Sequence, residues 1–293
     1  KKLRGGIGAL TSHLHELLVR HGGEVRLRSK VTQILTSDGR VSGVGLEDGS
    51  TITAPVVISC VAADITVVEM LDSSVVPPDQ RDRFARVDHR GSYLQMHFAL
   101  DALPEFAAPY QDLNDPEMQS TVGMYSTPEE LQAQWEDCRR GVVPADPAVV
   151  FQIPSLHDPQ LAPEGKHAAS AFALWFPVET GHARYGEMKV EMGERVMDKI
   201  SRLAPNFKET VLRHTTFTPR HMGTMFGAPG GDYCFGLVHA DQIGVNRPGP
   251  RGYRGDPLPV EGLYLGSAGC HGGPAISFIP GYNAALEVLA DAR

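Results

Sequence analysis

A chain of 293 residues with 42% hydrophobic and 21% charged residues, 31 Gly and 22 Pro excludes disorder, collagen-like repeats and coiled coil, and has room for two domains. Its 27 Lys+Arg against 35 Asp+Glu give a formal net charge of -8, and no basic block occurs that could track a phosphate backbone, so nucleic acid is not an expected partner. The longest apolar runs, Val56 to Val61 and Ala168 to Phe176, are far shorter than the roughly 20 residues of a membrane-spanning helix, and no transmembrane segment is expected.

Chain order begins at Lys1-Lys2-Leu3-Arg4 without Met, which reads as a cut from a longer polypeptide. Ile7, Leu10, Leu14, Leu17 and Leu18 recur at helical spacing up to the Gly22-Gly23 stop and predict an amphipathic helix. Val25 and Leu27 then alternate with charged residues. Val31 to Leu35, Val41 to Leu46 and Thr51 to Thr53 follow, separated by Asp-Gly turns at 38–39 and 48–49, and predict a three-stranded antiparallel meander. The β-branched run Val56-Val57-Ile58-Ser59-Cys60 predicts a strand of a parallel sheet, buried on both faces.

From about residue 64 to 255 the texture turns to mixed helices and strands with Pro-rich connections, an α+β region. Tyr93 to Leu100 and Ala168 to Phe176 read as strands. Pro128 to Arg140 reads as a helix capped by Ser126 or Thr127, and Glu187 to Leu203 as a long helix halted before Pro205. Gly262 to Gly266 is a short buried-type strand, followed by the loop Ser267 to Pro274 and a closing helix from about Ser277 to Ala290.

That last strand, glycine loop and helix carry the chemistry. A helix N-terminus offers backbone amides and the positive end of a dipole, and glycines let a flat or anionic group approach the main chain. The sequence Leu263-Tyr264-Leu265-Gly266-Ser267-Ala268-Gly269-Cys270-His271-Gly272-Gly273, continuing to Pro280-Gly281-Tyr282-Asn283-Ala284-Ala285, resembles the C-terminal flavin-contacting motif of phytoene-desaturase-like FAD-dependent oxidoreductases. The opening Gly5-Gly6-Ile7-Gly8, the meander, Pro154 to Pro159, Ala162 to His167, Thr218-Pro219 and Asp241 through Pro248 fit the same pattern. The branch most resembled is that of pyridine nucleotide-disulfide oxidoreductase domain-containing protein 2, although no CxxC pair is present.

The resemblance implies an α/β fold with an α+β insertion: a partial Rossmann-like FAD/NAD(P)-binding domain from residues 1–63 and 256–293, and a mixed-sheet substrate domain from 64–255. It implies FAD as cofactor, with Val31 at the adenine, Gly266, Ser267 and Gly269 along the ribityl and pyrophosphate portion, and Ile276, Ser277, Gly281 and Asn283 at the pyrimidine end of the flavin. It also implies hydride transfer from an organic, hydrophobic substrate to flavin. The loop departs from the family's Thr-His-Pro-Gly-Gly-Gly, and the N-terminal GxGxxG unit does not occur. The expectation is therefore the C-terminal part of a longer flavoprotein, inactive by itself, with weak or absent FAD binding and with a possible homodimer through the surface left uncovered. The rival expectation is a non-catalytic interaction or assembly module that keeps the fold.

Other residues are weighed beside this motif. Cys60, Cys138, Cys234 and Cys270 are isolated, with no CxxC pair and no zinc-ligand set, which suits a reducing compartment such as the cytoplasm. Cys270-His271 is a candidate thiol–imidazole pair, and Asp241 with Arg247 a candidate ion pair. Tyr93, Met96, Phe98, Phe172, Trp175 and Phe176 are candidates for an apolar tunnel suited to a lipid-like small molecule. His221, His239 and His271 lack the spacing of metal ligands, so no metal is expected, and no catalytic residue stands out.

Overall fold

A computed structural model describes residues 4–178 and 184–293. The chain folds as two compact units, one from residues 1–25 and 92–221 and the other from 26–91 and 222–293. The sequence expectation divides the chain at 63 and 256 instead; the structure groups the opening helix with the central segment.

In the first unit, helix α1 (Gly6–Arg20) is followed after residue 91 by strand β5 (Ser92–Leu100), the turn α3 (Pro116–Gln119) and β6 (Thr121–Met124). Helix α4 (Pro128–Arg139), β7 (Val149–Gln152), β8 (His167–Phe176), α5 (Tyr185–Leu203), α6 (Phe207–Thr210) and β9 (Val211–Phe217) complete it, and α7 (Pro219–Phe226) begins at its end. The five strands form one antiparallel sheet in the order β6-β7-β8-β5-β9. Alternation sorts its faces. Leu94, Met96, Phe98 and Phe151 enter a core with Met188, Met192, Val196 and Ile200, the four-residue stripe of α5. Each such side chain contributes about 1.5–3 kcal/mol by burial. Helix α4 starts as expected at Thr127, which accepts from the Glu130 amide while Glu130 reaches back to the Thr127 amide, a complete capping box.

Helix α1 has no buried residue. Ile7, Leu14, Leu17, Leu18 and Val19 are all more than two-fifths exposed, although the Gly5 amide is held by the Asp158 carboxylate at 2.6 Å.

In the second unit, β1 (Val31–Ser37), β2 (Arg40–Leu46) and β3 (Thr51–Thr53) form the expected antiparallel meander. A Cβ on Gly43 would lie 2.1 Å from the Ile52 carbonyl oxygen, so the β2–β3 register admits only glycine there. Strand β4 (Val57–Ser59) pairs in parallel with β12 (Leu263–Leu265), Leu265 opposite Ser59. Between them run helix α2 (Pro78–Ala85) and the two-residue ladder of β10 (Gly252–Tyr253) and β11 (Asp256–Pro257), and α8 (Ile279–Asp291) closes the chain. Ile34, Val41, Val67, Phe84, Val260, Leu263 and Leu265 make the core.

Val25 and Leu27, which alternate with charged residues, are exposed outside any strand, and Arg28 turns the backbone left-handed at φ 55. Two sequence expectations are corrected. The run at 56–60 is a parallel strand but not one buried on both faces, since Val56 and Ile58 are about two-fifths exposed. The closing helix starts at Ile279 rather than Ser277, because Phe278 at its N-cap is left-handed at φ 60. Among the described residues no helix is long and apolar enough to cross a membrane.

Candidate functional site

At the C-terminal end of β12 the chain enters the glycine loop, and packing explains two of its glycines. A Cβ on Gly266 would come 3.1 Å from Ile58 Cγ2 and 3.5 Å from the Ala284 Cβ, so its absence lets α8 lie close to the parallel strands. A Cβ on Gly269 would come 2.7 Å from the Phe235 carbonyl oxygen. Their amides are already used: Gly266 N–H donates to the Ser59 carbonyl at 2.8 Å, and Gly269 N–H to Ser267 Oγ at 3.3 Å. These two residues present backbone surface rather than free donors.

Gly266, Ile276 and Gly281 come together with Ala268, Gly273, Phe278 and Tyr282 around an open concavity of about 420 Å³. Ile276, Phe278 and Tyr282 are more than half exposed on its wall. The other sequence-selected residues do not line it. Ser267 is buried beneath the loop. Ser277 precedes α8, where its hydroxyl accepts from the Ile279 amide at 3.4 Å. Asn283 is half-buried one turn into the helix. Val31 opens β1 opposite Leu46, on the meander.

A second concavity of the same unit, about 260 Å³, is polar and includes Asp64, Arg83, Arg86, Gln242, Asn246, Arg247 and Gly269 in its lining. Behind Asp64 stands His89, whose Nε2 donates to Asp64 Oδ2 at 3.0 Å and whose Nδ1 donates to Asp232 Oδ2 at 3.2 Å. Burial works against the charged imidazole, but hydrogen bonds to Asp232 and Asp64, with their negative charge, prevail and raise its pKa to about 9. Asp232 is fully buried and also accepts from the Cys234 and Gly236 amides. Nothing in the sequence links positions 64, 89 and 232, because only the fold brings them together.

Arg247 is a correction. It makes no ion pair with Asp241, whose largely exposed carboxylate lies beside His239 instead. Its guanidinium is buried and donates to the carbonyls of Cys234, Gly236, Gln242 and Ala268. Cys270 and His271 are also not a reactive pair. Cys270 is buried, and burial pushes its thiol up, whereas His271 is exposed and bonds the Gly244 carbonyl. Among the described residues no group of three or more His, Cys, Asp or Glu could hold a metal ion.

The tunnel set separates as well. Met96, Phe98 and Phe176 belong to the core beneath α5. Tyr93 and Phe172 stack at 4.1 Å on the opposite face of the sheet, and Trp175 packs against Trp135 of α4.

Residues 1–273 match the model of the flavin-containing amine oxidoreductase family. Pyridine nucleotide-disulfide oxidoreductase domain-containing protein 2 of Rattus norvegicus is 31% identical over 300 residues, covering 99% of this chain and 51% of the relative. Phytoene desaturase (neurosporene-forming) of Rhodobacter capsulatus is 26% identical, covering 94% of this chain and 51% of that one. The chain thus spans about half the length of these curated relatives. An oxidoreductase from Methanosarcina mazei superposes with a TM-score of 0.58 at 16% identity, over 98% of this chain and 55% of its own, a likeness of fold. Over almost its whole length, therefore, the chain belongs to the flavin-containing amine oxidoreductase family.

Proposed function

We propose that this chain is the C-terminal part of an FAD-dependent oxidoreductase of dehydrogenase or desaturase type. The concavity at the end of β12, with glycines and the start of α8 in its wall, carries the reading together with family membership. The residues present fit part of such a cofactor, since Gly266, Gly273 and Gly281 leave backbone surface uncovered by side chains where a flat ring edge can approach. FAD, when bound, supplies the hydride acceptor for a substrate C–H bond.

The chain's own residues hold and shape that site. Gly266, Ile276 and Gly281 line it, Ser267 and Gly269 brace the loop beneath, and Ser277 fixes the start of α8, whose dipole favours negative charge at the facing end of the flavin. Val31 and Asn283 are assigned to the cofactor by the family pattern alone. The unit of residues 26–91 and 222–293 is the cofactor part and the other the substrate part.

An organic, hydrophobic substrate is supported by the face of the five-stranded sheet opposite α5, where Tyr93, Phe172, Leu174 and Phe217 are only half-buried. Because the chain spans about half of its relatives, full activity is assigned to a polypeptide of their length, and the 293 residues alone bind FAD weakly or not at all. The exposed Val56, Ile58 and Val61 support pairing with a second copy, and the free thiols of Cys60, Cys234 and Cys270 support a cytoplasmic setting.

Titration of a polypeptide of the relatives' length with FAD, followed by flavin absorbance and fluorescence, tests the reading. The expected result is a bound flavin that an apolar organic substrate bleaches anaerobically. A colourless protein that takes up no FAD overturns it.

A further inference from the structure

Between α7 and β10 the chain makes only short 3-10 turns, so side chains rather than a ladder fix its path. Asp232, fully buried, takes the Cys234 amide on Oδ1 at 2.8 Å and the Gly236 amide on Oδ2 at 2.7 Å. The turn wrapped around this carboxylate puts Phe235 at φ 51, a left-handed backbone that a bulky residue keeps only where its surroundings enforce it. His89 Nδ1 donates to Asp232 Oδ2 at 3.2 Å, and the adjoining Asp88 carbonyl accepts from the Leu237 amide at 2.7 Å, so residues 88–89 pin the turn from behind. Asp64 accepts from the other nitrogen of the ring at 3.0 Å and fixes its orientation.

This turn supports the glycine loop. The Phe235 carbonyl oxygen stands so near Gly269 that a Cβ there would lie 2.7 Å from it. The carbonyls of Cys234 and Gly236 accept from Arg247 Nη2 at 2.6 and 3.3 Å, and the same nitrogen donates to the Ala268 carbonyl at 2.9 Å. Ala268 in turn lines the concavity at the end of β12. One path of contacts therefore runs from Asp64 through His89, Asp232 and Arg247 to the wall of that concavity, and none of these four residues lines it. We propose that Asp232, oriented by His89, is a positioning residue for the flavin: through residues 234–236 and Arg247 it sets where Ala268 and Gly269 meet the cofactor. The inference rests on the flavin reading of that concavity. A carboxylate suits the task because it accepts from several donors at once, and the shared imidazole offsets the cost of burying it. Sites of this kind tolerate errors of only about 0.5 Å in the residues that line them, so loss of the anchor acts by misplacement.

Two variants test it. Asp232→Asn sets an NH2 against a backbone N–H whichever way the amide turns, and His89→Gln keeps Asp232 but removes the ring it shares with Asp64. In the 293-residue protein, hydrogen exchange should show residues 266–273 losing protection about tenfold in Asp232→Asn, and severalfold in His89→Gln, beyond whatever β4 loses. In a polypeptide of the relatives' length, Asp232→Asn should bind FAD about tenfold more weakly, and the visible circular dichroism of the flavin at saturation should change. A variant that is merely less stable keeps the spectrum of the flavin it holds. Where Asp232→Asn does not fold, His89→Gln carries both readouts. Loop protection unchanged relative to β4, or FAD bound with wild-type affinity and spectrum, overturns the inference. A wild-type protein that takes up no FAD overturns the flavin reading and the positioning role with it, so the wild type tells the two failures apart.

Discussion

Arg247 Nη2 donates to the Ala268 carbonyl at 2.9 Å, which ties the segment before β10 to the glycine loop after β12. The same nitrogen donates to the Cys234 carbonyl at 2.6 Å, so one buried guanidinium gathers three stretches of chain. Replacing Arg247 with Met keeps bulk but leaves several carbonyls without the donors that Arg247 supplies. The expected loss is about 2–4 kcal/mol in urea unfolding. Arg247→Lys should rescue little, because one ammonium cannot span acceptors that a planar fork reaches together. An unfolding midpoint unchanged in Arg247→Met would show that these bonds do not hold the loop.

Gly262, just ahead of β12, has φ 80, and a Cβ there would stand 2.6 Å from the Pro55 carbonyl oxygen. Gly49 shares the left-handed backbone at φ 84 but has open space around it. The pair separates backbone preference from collision. Gly49→Ala should cost about 1 kcal/mol. Gly262→Ala should cost about 2–3 kcal/mol, since β12 must shift away from β4 to relieve the clash. Denaturant unfolding of both variants measures the difference, and equal losses would remove the steric part of the argument.

Local pattern made much of this fold readable. The α5 stripe, the Thr127 cap and the Asp-Gly turns of the meander are set by neighbours within a few residues, and the structure has them where the sequence implies. The β-branched run at β4 marks a strand of a parallel sheet, but its pairing with β12 is set by the fold. Orientation was not readable either. Met96 and Phe172 look alike as apolar strand residues, but position within the alternation sends one into the core and the other to the opposite face. The His89 cluster and the true partners of Arg247 were invisible for a different reason. They join residues up to 168 positions apart (64 to 232), and their chemistry depends on burial that no local window reports. Glycines at 266 and 269 also serve packing that no local window reports, since a Cβ at either would press on Ile58 or on the Phe235 carbonyl oxygen.

His89, held between Asp64 and Asp232, makes the stability of its unit depend on pH. Its folded pKa of about 9 stands above the 6.5 of an ordinary imidazole, so between these values the folded state holds a proton that the unfolded state has released. Its contribution is therefore fully present below about pH 6.5 and fades as pH rises through about 9. The shift corresponds to at most about 3 kcal/mol. Urea unfolding from pH 6 to 10 should show falling stability through this window. His89→Gln should flatten that slope and lower stability at pH 6, where the buried Asp232 and the half-buried Asp64 lose their shared cation. A variant that keeps the slope would place the titrating group elsewhere, and direct titration of the His89 ring by NMR, with its midpoint near the unperturbed value, would do the same.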